Sequence, residues 1–119
     1  MAPSVLIVDD HEGFRAFART LLAEDGFEIA GEASDGESVL ERVDELAPDV
    51  VLLDIQLPGI DGIEVARRLA GRANRPAVVL TSTRSAADYG TRISSATAVG
   101  FLNKERLSGE AIRALLADG

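Results

Sequence analysis

The chain has 119 residues, 46% hydrophobic and 27% charged, with no cysteine; this suits one domain that buries roughly two-thirds of its unfolded surface and excludes a disulfide framework or a thiolate metal site. A net charge of −8 argues against nucleic acid as a direct partner, because phosphate backbones repel such a surface. With neither a basic-then-apolar leader nor an apolar run long enough to span a bilayer, a soluble cytoplasmic protein without membrane contact is expected.

Ser4-Val5-Leu6-Ile7-Val8 runs apolar without alternation, as a strand covered on both faces does, and ends in Asp9-Asp10. From His11 the period becomes helical, with Phe14, Phe17, Ala18, Leu21 and Leu22 on one stripe until Gly26. Residues 27–33 alternate more nearly with period two, which predicts a half-exposed strand at the sheet margin. Ser34-Asp35-Gly36-Glu37 matches a capping box between Ser34 and Glu37, so a helix is expected through Val39, Leu40, Val43 and Leu46 to Ala47-Pro48. Val50-Val51-Leu52-Leu53 is another buried run, and Asp54 follows it directly. After Gln56-Leu57-Pro58-Gly59, Asp61 caps a helix through Ile63, Ala66 and Leu69 to Gly71. Ala77-Val78-Val79-Leu80 is a strand ending in Thr81-Ser82-Thr83. Residues 85–98 are mostly small and polar, so only a short, loosely held helix is expected there. Val99-Gly100-Phe101-Leu102-Asn103 is the fifth strand, Lys104 follows it, and Ala111, Ile112, Leu115 and Leu116 stripe a last helix.

Five strands alternating with five helical segments predict a single α/β domain over residues 1–119, a doubly wound parallel sheet with helices on both faces. Right-handed crossovers leave few topologies, and the flavodoxin-like order 2-1-3-4-5 is adopted by analogy with known doubly wound domains. In that order Asp9, Asp10 and Asp54 meet at one strand-end mouth, and Thr81 and Lys104 close it. Three neighbouring carboxylates raise one another's pKa unless a cation neutralises them, and magnesium, a hard ion with an octahedral oxygen shell, suits the set. Lys104 offers a point charge and Thr81 a hydroxyl donor to phosphoryl oxygens. An ionised Asp54 needs no general base, so this set is what in-line phosphoryl transfer to Asp54 requires.

Val8-Asp9-Asp10, Leu53-Asp54 followed by Pro58-Gly59 and Asp61-Gly62, Thr81 at a strand end, and Lys104 after Gly100-Phe101-Leu102 together resemble the receiver domain of bacterial two-component response regulators, of the chemotaxis-receiver type. The resemblance covers essentially the whole chain. It implies that Asp54 is the phosphoacceptor, that Asp9, Asp10, Asp54 and the Gln56 backbone carbonyl hold Mg2+, and that Lys104 and Thr81 contact the phosphoryl group. It makes Thr81 and Phe101 the switch residues. It further implies a histidine kinase as donor, and as reader an output domain, a target protein or a second copy in a phosphorylation-dependent homodimer, with transcription as the controlled process. Such a domain assists its own phosphorylation and dephosphorylation without being an enzyme. This chain carries Glu105 where many receivers have proline, Ser82 where alanine is common, and in Phe101 an aromatic without a hydroxyl.

Each residue also has an ordinary role. Asp54 alone is equally a turn-capping aspartate, and Asp9 or Asp10 a cap of the first helix. Thr81 and Ser82 are strand-end hydroxyls, Phe101 a core aromatic, His11 a solvated residue at a helix start, and Arg67, Arg68, Arg72 and Arg75 a solvated helix face. A magnesium-dependent phosphatase with an aspartyl-phosphate intermediate wants a general acid two residues past its nucleophile, where Gln56 stands. A flavin or nucleotide module wants a glycine-rich loop that this chain lacks. A free-standing receiver working by protein contact is the alternative to the receiver half of a longer transcriptional regulator.

Overall fold

The apolar runs become a sheet. In the computed structural model, which describes residues 2–73, 75–95 and 98–118, β1 (Ser4–Val8), β2 (Glu28–Ala33), β3 (Val50–Asp54), β4 (Ala77–Ser82) and β5 (Gly100–Asn103) pair in parallel in the order β2-β1-β3-β4-β5. They are connected through α1 (Glu12–Glu24), α2 (Gly36–Leu46), α3 (Gly62–Ala70) and α4 (Thr91–Ser95), and α5 (Gly109–Asp118) comes after β5. The expected class and strand order are observed, with β2 at one margin. Among the described residues no helix is long and apolar enough to cross a membrane.

Two core layers sandwich the sheet. Leu6, Val8, Val51, Leu53, Val78 and Leu80 pack with Val39 and Val43 of α2 and Ile63 and Leu69 of α3. Val5, Ile7, Val50, Leu52 and Val79 pack on the other face with Ala18 and Leu22 of α1 and Ile112 of α5. Burying one such leucine or isoleucine contributes about 1.5–3 kcal/mol, so β1 and β3, apolar on both faces, form the rigid centre. Side chains alternate along a strand, and carrying the count forward puts Asp9, Asp54 and Thr81 all on the α1/α5 face. Ser82 and Phe101 fall on the opposite face.

The helix caps correct one expectation. Ser34 does not cap α2; Asp35 does, with Oδ1 accepting from the Ser38 amide and hydroxyl, each at 2.8 Å. An ionised acceptor makes the stronger bond and complements the positive end of the helix, so the carboxylate one residue on displaces the hydroxyl. Asp61 caps α3 as expected, accepting from the Glu64 amide at 2.9 Å. Residues 85–98 resolve into a 3-10 turn, Ala86–Asp88, then Gly90 at φ +57° and the five-residue α4. Ala96 and Thr97 of that stretch lie outside the described residues. The arginines of and after α3 are exposed or half-exposed and mostly ion-paired, Arg67 and Arg68 with Glu64 and Arg72 with Asp44.

The turn from β3 into α3 brings a helix start directly against the strand that carries Asp54. The Gly62 amide donates to the Ile55 carbonyl at 2.8 Å, and a Cβ on Gly62 would stand 2.2 Å from the Asp54 carbonyl oxygen. Backbone, unlike a flexible side chain, cannot swing away. Gly62→Ala is therefore expected to destabilise the fold by about 1–3 kcal/mol, seen in urea titration as a lower midpoint at unchanged slope.

Candidate functional site

Two turns of the same kind build the floor of the site. Asp9 Oδ1 accepts from the His11 amide at 2.9 Å, and Asp54 Oδ1 accepts from the Gln56 amide at 3.2 Å. Each aspartate thus fixes its own loop two residues on. The second oxygen of each meets Lys104, whose Nζ lies 2.5 Å from Asp9 Oδ2 and 3.5 Å from Asp54 Oδ2. The Asp9 contact is an ion pair without hydrogen-bond alignment. Turn-capping and site-building are therefore not alternatives for Asp54; they use different oxygens of one carboxylate.

Burial makes the arrangement electrostatically tense. Asp9 and Asp54 are 0% and 2% exposed. Burial, and after it the negative charge of Asp9, pushes the Asp54 carboxyl up to about 6, while Lys104 and the Gln56 amide pull it back. Lys104 is itself nearly buried and stacks over the Phe14 ring at 4.6 Å. Arg15, not singled out from the sequence, anchors the first loop: its Nη1 donates to the Asp9 carbonyl at 2.7 Å and its Nε to Glu32 at 3.0 Å.

The two hydroxyls at the end of β4 have different fates. Thr81 is fully buried and register-paired with Asp54, and its Oγ1 has no hydrogen-bond partner among the described residues. Ser82, also fully buried, lies 2.6 Å from the Tyr89 hydroxyl and accepts from the Arg84 amide at 3.0 Å. Phe101 is half-buried with its ring 6.3 Å from that of Tyr89. Tyr89 is not legible as a site residue in the sequence because it sits in a stretch of small residues; its being the chain's single tyrosine is the only signal.

The outer rim holds Asp10, His11 and Gln56. Gln56 is exposed at the mouth. His11 is exposed at the start of α1, as expected, yet its Nδ1 lies 3.0 Å from Asp10 Oδ1 and 3.2 Å from Asp9 Oδ1. Asp9, Asp10, His11 and Asp54 each offer a ligand atom, all within 4.8 Å of one another. Three carboxylates face one ammonium, so the mouth keeps an excess of negative charge that fits a hard divalent ion. Outside it opens a cavity of about 480 Å³ walled by Phe14 and Phe17 on one side and Asp10, Asp54 and Lys104 on the other. Phe17, at 55%, is the exposed large hydrophobic among the described residues.

Residues 5–116 match the response regulator receiver domain family. The chain is 37% identical over 112 residues to the response regulator GacA of Pseudomonas viridiflava, covering 93% of this chain and 52% of the relative. It is 33% identical over 114 residues to the DNA-binding transcriptional activator EvgA of Escherichia coli K12, covering 96% and 56%. It therefore spans about half the length of these curated relatives. Among solved structures, the signal receiver domain of NarL from Mycobacterium tuberculosis superposes with a TM-score of 0.87 at 32% identity, covering 98% of this chain and 94% of that one.

Asp54 titrates higher folded than unfolded, which fixes the sign of its effect on stability. Below pH 3.8 it is protonated in both states and adds nothing; between 3.8 and about 6 the folded state holds the extra proton, so stability falls as pH rises. Asp54→Asn is expected to raise stability above that window by about 1–2 kcal/mol, allowing for water at the open mouth. Urea midpoints without divalent cations should show the gain in alkaline buffer and lose it in acid. Thr81→Val, which removes the unpartnered hydroxyl at constant shape, is expected to add about 1 kcal/mol in the same assay.

Proposed function

The chain belongs to the response regulator receiver family, and from that premise we propose that it is a phosphorylation-controlled switch whose Asp54 accepts a phosphoryl group from a histidine kinase in the cytoplasm. The observation that carries this reading is the Lys104 ammonium shared between Asp9 and Asp54. A carboxylate so held is a ready nucleophile with its counter-charge already beside it.

In the proposed reaction Asp54 Oδ2, the oxygen not held by the Gln56 amide, attacks phosphorus in line. The bond from phosphorus to the donor imidazole nitrogen breaks, and that nitrogen keeps the electron pair and is later protonated by solvent. Lys104 turns from the carboxylates to a phosphoryl oxygen, and Thr81 Oγ1 donates to another, gaining the partner it lacks. Asp9, Asp10, Asp54 and the Gln56 carbonyl would hold Mg2+, which when bound supplies neutralisation of phosphoryl charge. Phe14 and Phe17 give the donor an apolar footing next to Asp54. The domain promotes its own phosphorylation and dephosphorylation but is not a turnover enzyme.

The signal leaves through β4. Thr81 and Ser82 are consecutive, one on the acid face and one holding Tyr89 beside Phe101 on the other. Drawing Thr81 toward a phosphoryl group shifts the end of β4, and with it the Tyr89 and Phe101 rings and α4. The phosphoryl group favours whichever state gives it Thr81 and Lys104 as partners. The reader is an output domain, a partner or a second copy; the likeness to a transcriptional activator supports control of transcription.

Incubated with Mg2+ and a small acyl phosphate, the wild type is expected to gain the mass of one phosphoryl group and Asp54→Ala none. Mass spectrometry that finds no adduct on the wild type, or one on Asp54→Ala, would overturn the reading.

A further inference from the structure

Of the four clustered ligand-type side chains Asp9, Asp10, His11 and Asp54, His11 is the one for which the phosphotransfer reading has no use. It occupies the N-cap position of α1 at φ −94° and ψ 112° but gives the helix no side-chain hydrogen bond. Its ring is 73% exposed, yet Nδ1 faces two carboxylate oxygens rather than water alone, Asp10 Oδ1 at 3.0 Å and Asp9 Oδ1 at 3.2 Å. In an octahedral shell with bonds of about 2.1 Å, neighbouring donors stand roughly 3.0 Å apart and opposite ones roughly 4.2 Å. Both His11 separations match the shorter spacing. The whole set, Asp9, Asp10, His11 and Asp54, spans no more than 4.8 Å, so it needs to contract by only some tenths of an ångström around an ion. Independently, Thr81 Oγ1, fully buried in the same mouth, makes no hydrogen bond among the described residues, and Asp9 Oδ2 has the Lys104 ammonium as its counter-charge but no aligned hydrogen bond.

We propose that His11 is a nitrogen ligand of the divalent-cation site and tilts its selectivity from magnesium toward the borderline first-row ions cobalt and nickel. The inference rests on the reading of the acid set as a cation site. Mg2+ takes oxygen donors and keeps much of its water, whereas an imidazole adds affinity along the series from manganese to nickel. Without an ion the neutral ring donates its Nδ1 proton to the Asp9 and Asp10 carboxylates; to coordinate, it takes the other tautomer, with the proton on Nε2 and the Nδ1 lone pair turned to the cation. The lone pair then replaces a water in the shell, and the three carboxylates keep their places.

The chain has a single histidine, which makes the test unambiguous on protein without a histidine tag. Calorimetric titration in mildly alkaline buffer should show that His11→Ala loses about tenfold or more in Ni2+ affinity while Mg2+ affinity is unchanged. Asp10→Asn should weaken both ions. Electron spin echo spectroscopy of the Mn2+-loaded wild type should show one coupled nitrogen that His11→Ala lacks. Unaltered Ni2+ affinity in His11→Ala, no coupled nitrogen, or Ni2+ binding untouched by Asp10→Asn would each overturn the role of His11 alone. Failure of the wild type to bind either Mg2+ or Ni2+ would overturn the cation-site reading with it.

Discussion

The contact between Lys104 and the two buried aspartates is the constraint on which the rest of the molecule turns. Asp9 and Asp54 end adjacent strands, and the apolar runs behind them fix where those strands stop. The sheet therefore forces two carboxylates together in a poorly solvated mouth. At an effective dielectric constant near 20, like charges about 4 Å apart repel by about 4 kcal/mol. One ammonium reaching both offsets much of this, and it arrives from β5, an edge strand whose residues are all only half-buried. The site thus helps hold the edge of the sheet, and the edge of the sheet holds the charge that the site needs.

That arrangement also explains why the fold tolerates such a mouth. Each aspartate spends one oxygen on its own turn, which fixes the direction of its carboxylate. What remains, the second oxygen of each and the Thr81 hydroxyl, is left with one ammonium among three acceptors or donors. An unsatisfied buried hydroxyl costs about 1–3 kcal/mol, stability forgone until some acceptor reaches it; in the proposed reaction that acceptor is a phosphoryl oxygen. The same deficit that weakens the resting fold provides the differential interaction any ligand-driven switch requires.

Much of this is legible in the sequence because it depends on periods. Uninterrupted apolar runs mark buried parallel strands and place Asp9, Asp54, Thr81 and Lys104 at or just past strand ends; that they converge rests on the strand order taken over by analogy. Asp61 as a cap is legible for the same local reason. Less legible is anything decided by competition or by side-chain direction. Ser34 and Asp35 are both good caps one residue apart, and only the relative strength of their bonds selects Asp35. The spacing of His11 shows that it begins a helix but not that its ring folds back over two carboxylates. Tyr89 finds Ser82 across a loop whose composition reads as featureless. Spacing assigns a residue to a face; it does not choose the rotamer.

The weakest element is also the one through which the proposed signal passes, and helix physics gives the reason. A helix of five residues cannot sustain itself, because nucleation costs more than so few hydrogen bonds return. The position of α4 is therefore set from outside, by the Ser82 to Tyr89 hydrogen bond on one flank and the Arg92 ion pair with Asp61, at 2.5 Å, on the other. Asp61 caps α3, which starts against the Asp54 carbonyl, and Ser82 is the next residue after Thr81. Both tethers thus trace back to the immediate neighbours of Asp54. A long helix would resist small shifts at its anchors, whereas one of five residues, seated on the core through Ile93, follows them more readily.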